Sequence, residues 1–194
     1  MKSEFSFSGF FGICAVLVVC FAMVILSYTP VSAIAGGGMA AAETSAAHYY
    51  DIKARPVLNE TTVAVDWNNV EALTGQELYN DGQSVITVTG VEAVAGGNYA
   101  LHLEAVGEIA SSGGRVVTPL SHDGSLPEGY IQVTVGENTY ISKAITERGQ
   151  SALRAGDTAV MTIFADDVPA DEIATNGNQV TVQLLGLQKI TFER

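Results

Sequence analysis

The sequence predicts a mainly β protein: an antiparallel β-sandwich of immunoglobulin-like proportions, preceded by one N-terminal hydrophobic helix. Three observations carry that expectation. Downstream of residue 50, apolar and polar residues alternate with period two in several short runs. Clusters of Gly, Asn and Asp separate those runs. Helix signals in that part are confined to two short stretches. Close-spaced strands with few helices indicate a sandwich or barrel.

The first element is the apolar run Phe10–Leu26, which contains no charged residue. A secretory signal has an apolar core of roughly 7–15 residues, and a bilayer span needs roughly 17–25. The run is long for the first and near the lower bound of the second. Pro30 ends it, and Val31-Ser32-Ala33 or Ala33-Ile34-Ala35 offers a small-x-small exit. Residues 1–33 are therefore expected to be a signal peptide or a membrane-anchor helix. Neither Cys14 nor Cys20 follows the small residues a lipidated cysteine requires, and both read as apolar packing. "FSGFFGICAV" places Gly9 directly before the apolar helix. That layout resembles the leader of type IV pilin-like subunits, which implies cleavage after Gly9 and a retained helix that bundles in a filament. The resemblance covers about the first 30 residues, and Cys14 stands where those subunits usually carry a glutamate.

Residues 34–50, rich in Ala and Gly, read as a flexible linker. Residues 51–194 are expected to form the acidic β-sandwich. Its strand candidates are "TTVAVDW", "ITVTGVEAV", "YALHLEAV", "RVVTP", "YIQVTVGE" and "TAVMTIF". The last, "QVTVQLLGLQKITFE", reads as one long strand bent at Gly186, with Ile190 and Phe192 inward and Lys189, Thr191 and Glu193 outward. "NDGQ", "AGGN", "SSGG" and "GEN" supply turns, and "VGENTY" predicts a hairpin joining Ile131–Val135 to Tyr140–Ala144. "NNVEALTGQELY" is expected to hold a short helix capped by Asn68 or Asn69, and "TERGQSALRAGD" one helical turn.

Charge narrows function. The chain of 194 residues has 9 Lys+Arg against 21 Asp+Glu, a formal charge of -12. Lys2 and Glu4 cancel and are the only charges before Glu43, so the whole excess lies downstream of the apolar run. Such a surface repels phosphate backbones and anionic lipid, which argues against nucleic acid as a partner. With no cysteine beyond Cys20, the body has no disulfide framework and no thiolate metal site.

Motifs for catalysis are absent. No G-x-S-x-G elbow, phosphate-binding loop or H-E-x-x-H pair occurs. "SHD" at Ser121–Asp123 reads as a turn, because chain neighbours diverge and cannot relay a proton in line. His48, His102 and His122 are scattered, and His102 lies on the polar face of its strand. The most acidic stretch holds Asp166, Asp167, Asp171 and Glu172, a weak calcium candidate with oxygen ligands but without the spacing of a calcium hand. No other cofactor is expected. Read as a solvated loop, the same stretch guards a strand edge. Tyr49, Tyr50, Trp67, Tyr79, Tyr99, Tyr130 and Tyr140 would line a contact surface or pack the core. Asn59-Glu60-Thr61 is a glycosylation sequon, or a surface turn without sugar.

These features lead to a non-enzymatic cell-envelope protein, secreted or anchored outside the cytoplasmic membrane. Its β domain would serve binding or self-assembly with a protein partner, and an uncleaved helix would hold the membrane. Strand addition at a sheet edge is one route, with Val180–Phe192 as the expected edge or donor. The alternatives are the pilin-like filament subunit and an exported hydrolase with a scattered acidic or metal site.

Overall fold

A computed structural model describes residues 16–21, 51–110, 113–121, 126–142, 144–150 and 156–193. Residues 16–21, inside the apolar run, form a helix, α1. The body is the expected antiparallel sandwich. Its strands are β1 (Asp51–Val57), β2 (Thr62–Asp66), β3 (Glu77–Asn80), β4 (Ser84–Val94), β5 (Asn98–Ala110) and β6 (Gly113–Thr118). They continue with β7 (Tyr130–Val135), β8 (Asn138–Ser142), β9 (Ala144–Gln150), β10 (Gly156–Ile163), β11 (Gln179–Leu185) and β12 (Leu187–Glu193).

One sheet has eight strands along the path β1-β12-β6-β5-β10-β9, with β4 paired to β5 and β3 to β4. The other has the order β2-β11-β7-β8. Alternation produces the core directly. In β7, Ile131, Val133 and Val135 are buried, and in β11 so are Val180, Val182 and Leu184. Leu101 and Leu103 of β5 and Met161 and Ile163 of β10 meet them from the larger sheet in one apolar cluster.

The long strand β5 curls the larger sheet. Through Gly107 it pairs with β4, and Tyr99–Val106 also pairs with β10; from Glu108 onward its partner is β6. The change of partner is possible because position 107 has no side chain. A Cβ there would press on the backbone of Arg115 and lie 2.7 Å from Val116 Cα.

Three expectations need correction, and a fourth falls partly outside the described residues. The terminal segment is not one bent strand: Gly186, at φ 69°, divides it, so that β11 joins the small sheet and β12 the large one. Nor is it an edge or a donor, because β11 lies between β2 and β7 and β12 between β1 and β6. The inward and outward faces of β12 are as expected, with Ile190 and Phe192 buried. The helix expected after Asn68 is a 3-10 helix, Trp67–Leu73, whose cap is Asp66, accepting from Asn68 N at 2.9 Å. Gly75, at φ 86°, stops it, and the rest of that stretch becomes β3. Finally, of the stretch expected to hold one helical turn, residues 146–150 belong to the edge strand β9 and residues 156–157 to β10, and residues 151–155 lie outside the described residues. In compensation, the acidic stretch holds a 3-10 turn, Ala165–Asp167, and a short helix, α2 (Ala170–Thr175).

Candidate functional site

Three polar constellations stand out from the sandwich, and each is placed by a sheet junction. The first is Asn59, the sequon asparagine. It sits between β1 and β2, where the chain passes from one sheet to the other, and is 5% exposed. Its Nδ2 donates to Leu78 O and Leu184 O, both at 2.7 Å, and its Oδ1 accepts from Thr61 N at 3.0 Å. Both carbonyls are ones the ladders leave over. Leu78 is the bulged residue in the β3–β4 pairing, and Leu184 lies beyond the last β2–β11 pair. The Asn59 amide therefore links the two sheets, and it offers no free nitrogen to a sugar. The surface-turn reading of the sequon is thus wrong about burial.

The second constellation is centred on Asp81, in the turn between β3 and β4. Its Oδ1 accepts from Ser84 N at 2.8 Å and Gln83 N at 3.0 Å. Its Oδ2 accepts from Tyr79 Oη at 2.9 Å and from Arg115 Nη2 on β6 at 2.6 Å. Burial alone would raise the Asp81 pKa, but the Ser84 and Gln83 amides, the Tyr79 hydroxyl and the Arg115 guanidinium outweigh it, and the net shift is downward. Burial, followed by the hydrogen bond to Asp81, pushes the Tyr79 phenol up to about 12. The sign for stability follows. A carboxylate whose pKa falls on folding stabilises above its unfolded value, near 4, and that contribution is lost as pH drops through the lowered folded value. Asp81→Asn is expected to cost about 2 kcal/mol at pH 7. It should also flatten the fall in stability below pH 4, as read by urea denaturation at several pH values.

The third is the acidic stretch itself. Asp166 and Asp167 lie in the 3-10 turn, and Asp171 and Glu172 in the first turn of α2. Glu172 faces the β7–β8 hairpin, where its carboxylate accepts from the Tyr140 hydroxyl and from Asn138 Nδ2 at 2.8 Å. That carboxylate, ahead of burial, pushes the Tyr140 phenol up to about 12. A shallow cavity of about 280 Å³ lies between the hairpin and α2, lined by Glu137, Asp171 and Glu172 among others. Among the described residues no group of three or more His, Cys, Asp or Glu side chains is gathered as a metal site requires.

The remaining candidates do not converge. His102 is half-exposed on β5, 3.9 Å from Glu92. Ser121 Oγ donates to Leu126 O at 2.9 Å, while His122 and Asp123 lie outside the described residues, as do His48, Tyr49 and Tyr50. Of the aromatic residues, Tyr79 is buried; Trp67, Tyr99 and Tyr140 pack against the core, and Trp67 meets Tyr99 edge-on at 5.5 Å. Sequence reasoning missed the Asn59, Asp81 and Tyr140–Glu172 links. The sequon, the acidic stretch, the tyrosines and the "NDGQ" turn marked single residues of these places but none of the partners.

The class these features define is a two-sheet antiparallel β domain whose polar clusters tie strands together and whose cavities are shallow. Comparison with protein-family models, with curated proteins and with solved structures finds no match.

Proposed function

We propose that this chain is a non-enzymatic, exported or membrane-anchored cell-envelope protein whose acidic β-sandwich mediates binding or surface assembly. One observation carries the reading. The sandwich closes its core with its own strands, whereas α1 leaves Val16, Leu17, Val18, Val19 and Phe21 between 53% and 69% exposed. An apolar helix is costly in water, by roughly 25 cal/mol for each Å² exposed, so the run belongs in another environment. A lipid bilayer, or the export machinery that reads a leader, supplies it. No helix among the described residues is long and apolar enough to cross a membrane; α1 is six residues of the longer run Phe10–Leu26. The charge of -12 adds support, since it keeps a displayed domain soluble and off anionic lipid.

Cell fractionation followed by N-terminal sequencing tests the proposal. A chain starting at Met1 and released from membranes only by detergent supports anchoring. A start near Ile34 or Gly36 in the medium supports export, and a start at Phe10 assigns the filament-subunit form. Recovery of the intact chain from cytosol without detergent would overturn it.

A further inference from the structure

The described residues include five Lys and Arg side chains: Lys53, Arg55, Arg115, Arg148 and Lys189. Three have anionic partners: Lys53 with Asp51 at 2.5 Å, Arg115 with Asp81, and Arg148 with Glu128. Arg55 and Lys189 have none among the described residues. They stand directly opposite each other on β1 and β12. Like charges placed opposite across two strands weaken a sheet, and this chain has more than twice as many acids as bases with which to avoid it. Arg55 and Lys189 share one wall of a groove of about 310 Å³ with Lys53, Thr191 and Glu193. The groove is therefore set up to receive carboxylates in addition to the Glu193 it already holds.

The chain carries such carboxylates at its other end. Asp166 and Asp171 are exposed and without an ion pair among the described residues, and Glu137 lines the same cavity as Asp171. Their turn is tied to the start of β5 by the bond from Ala165 N to Asn98 Oδ1, 2.7 Å. The Arg55–Lys189 groove adjoins the opposite end of β5, through the pairs Glu108–Arg115, Arg115–Thr191 and Thr191–Lys53. Ten residues of extended strand separate Asn98 from Glu108, so roughly 30 Å is the upper bound on that run of β5. No ion pair among the described residues joins the two patches within one molecule.

We infer that the Arg55–Lys189 groove of one copy receives the Asp166–Asp171 end of a second copy. This deepens the assembly reading above and rests on it. The contact joins two different patches, so it is heterologous and propagates head to tail unless a rotation closes it into a ring. The full chain in a nonionic detergent, followed by sedimentation velocity, provides the test. Association is expected at low salt and should fade near 1 M NaCl, where the screening length falls to about 3 Å. R55E/K189E and D166K/D171K should each lower the association constant at least about tenfold, and an equimolar mixture should restore a 1:1 complex. R55Q/K189Q, a milder change, should show an intermediate loss if the reversed pair perturbs β1. Association untouched by salt and by every variant would overturn this contact while leaving the assembly reading in place. No association of the wild-type chain at any concentration would overturn both the contact and self-assembly, leaving binding to another partner as the displayed role.

Discussion

Asn59→Ala is expected to lower the unfolding free energy by about 3 kcal/mol, measured by urea denaturation at pH 7. Three hydrogen bonds of the side-chain amide are lost, and two carbonyls, Leu78 O and Leu184 O, remain in a buried place without a donor. Unpartnered buried groups cost about 1–3 kcal/mol each, partly relieved if water enters. Asn59→Asp should cost more, because a carboxylate would face two carbonyl oxygens where an NH₂ now donates to both. A loss below about 1 kcal/mol for both variants would mean that the two sheets do not depend on this bridge. Intact mass of the native protein should show Asn59 without a sugar, since its nitrogen is occupied in the folded state.

Gly107→Ala is the second large effect. The added methyl would press on the backbone of Arg115 and Val116, which cannot rotate away as a flexible side chain could. To admit it, β5 and β6 must separate where β5 changes partner. The expected cost is about 3 kcal/mol, the upper end for inserting a methyl into a packed site. Gly90→Ala is the control on the neighbouring strand. Its Cβ would meet only the His102 ring, at 3.9 Å, so that variant should stay within about 0.5 kcal/mol of wild type. Equal stability losses for the two alanines would show that the close approach at Gly107 is not what shapes the larger sheet.

Most of the fold was legible because half-buried strands carry their orientation in their own residues. Ile131, Val133 and Val135 alternate with Gln132 and Thr134, and they point inward as that pattern requires. The same held for Ile190 and Phe192. Failures came where the local signal was weak or shared. Glu77–Tyr79 looked like the end of a helix, and its conversion into β3 depends on β4 offering a ladder and on Gly75 reversing the chain. Ala144–Gln150 contains Thr, Glu, Arg and Gly in no clear period, and it is a strand because β10 lies beside it. The terminal segment was readable as extended, but which sheet each half joined was not. A glycine at φ 69° permits a bulge, a bend or a change of sheet alike.

The clusters were less legible than the strands for a related reason. Asn59 lies 125 residues from Leu184, Asp81 34 residues from Arg115, and Glu172 32 residues from Tyr140. No spacing in the chain announces such pairs. What the sequence alone determined was a property of single residues and near neighbours: an apolar run set apart from an acidic body, and the alternation that makes that body β. What only the tertiary structure decided was partnership. The sheet each strand enters, the carbonyls left for Asn59 and the two cations placed face to face depend on which distant segments the packing brings within hydrogen-bond or ion-pair reach. Those forces act over a few ångströms in space, whatever the separation along the chain.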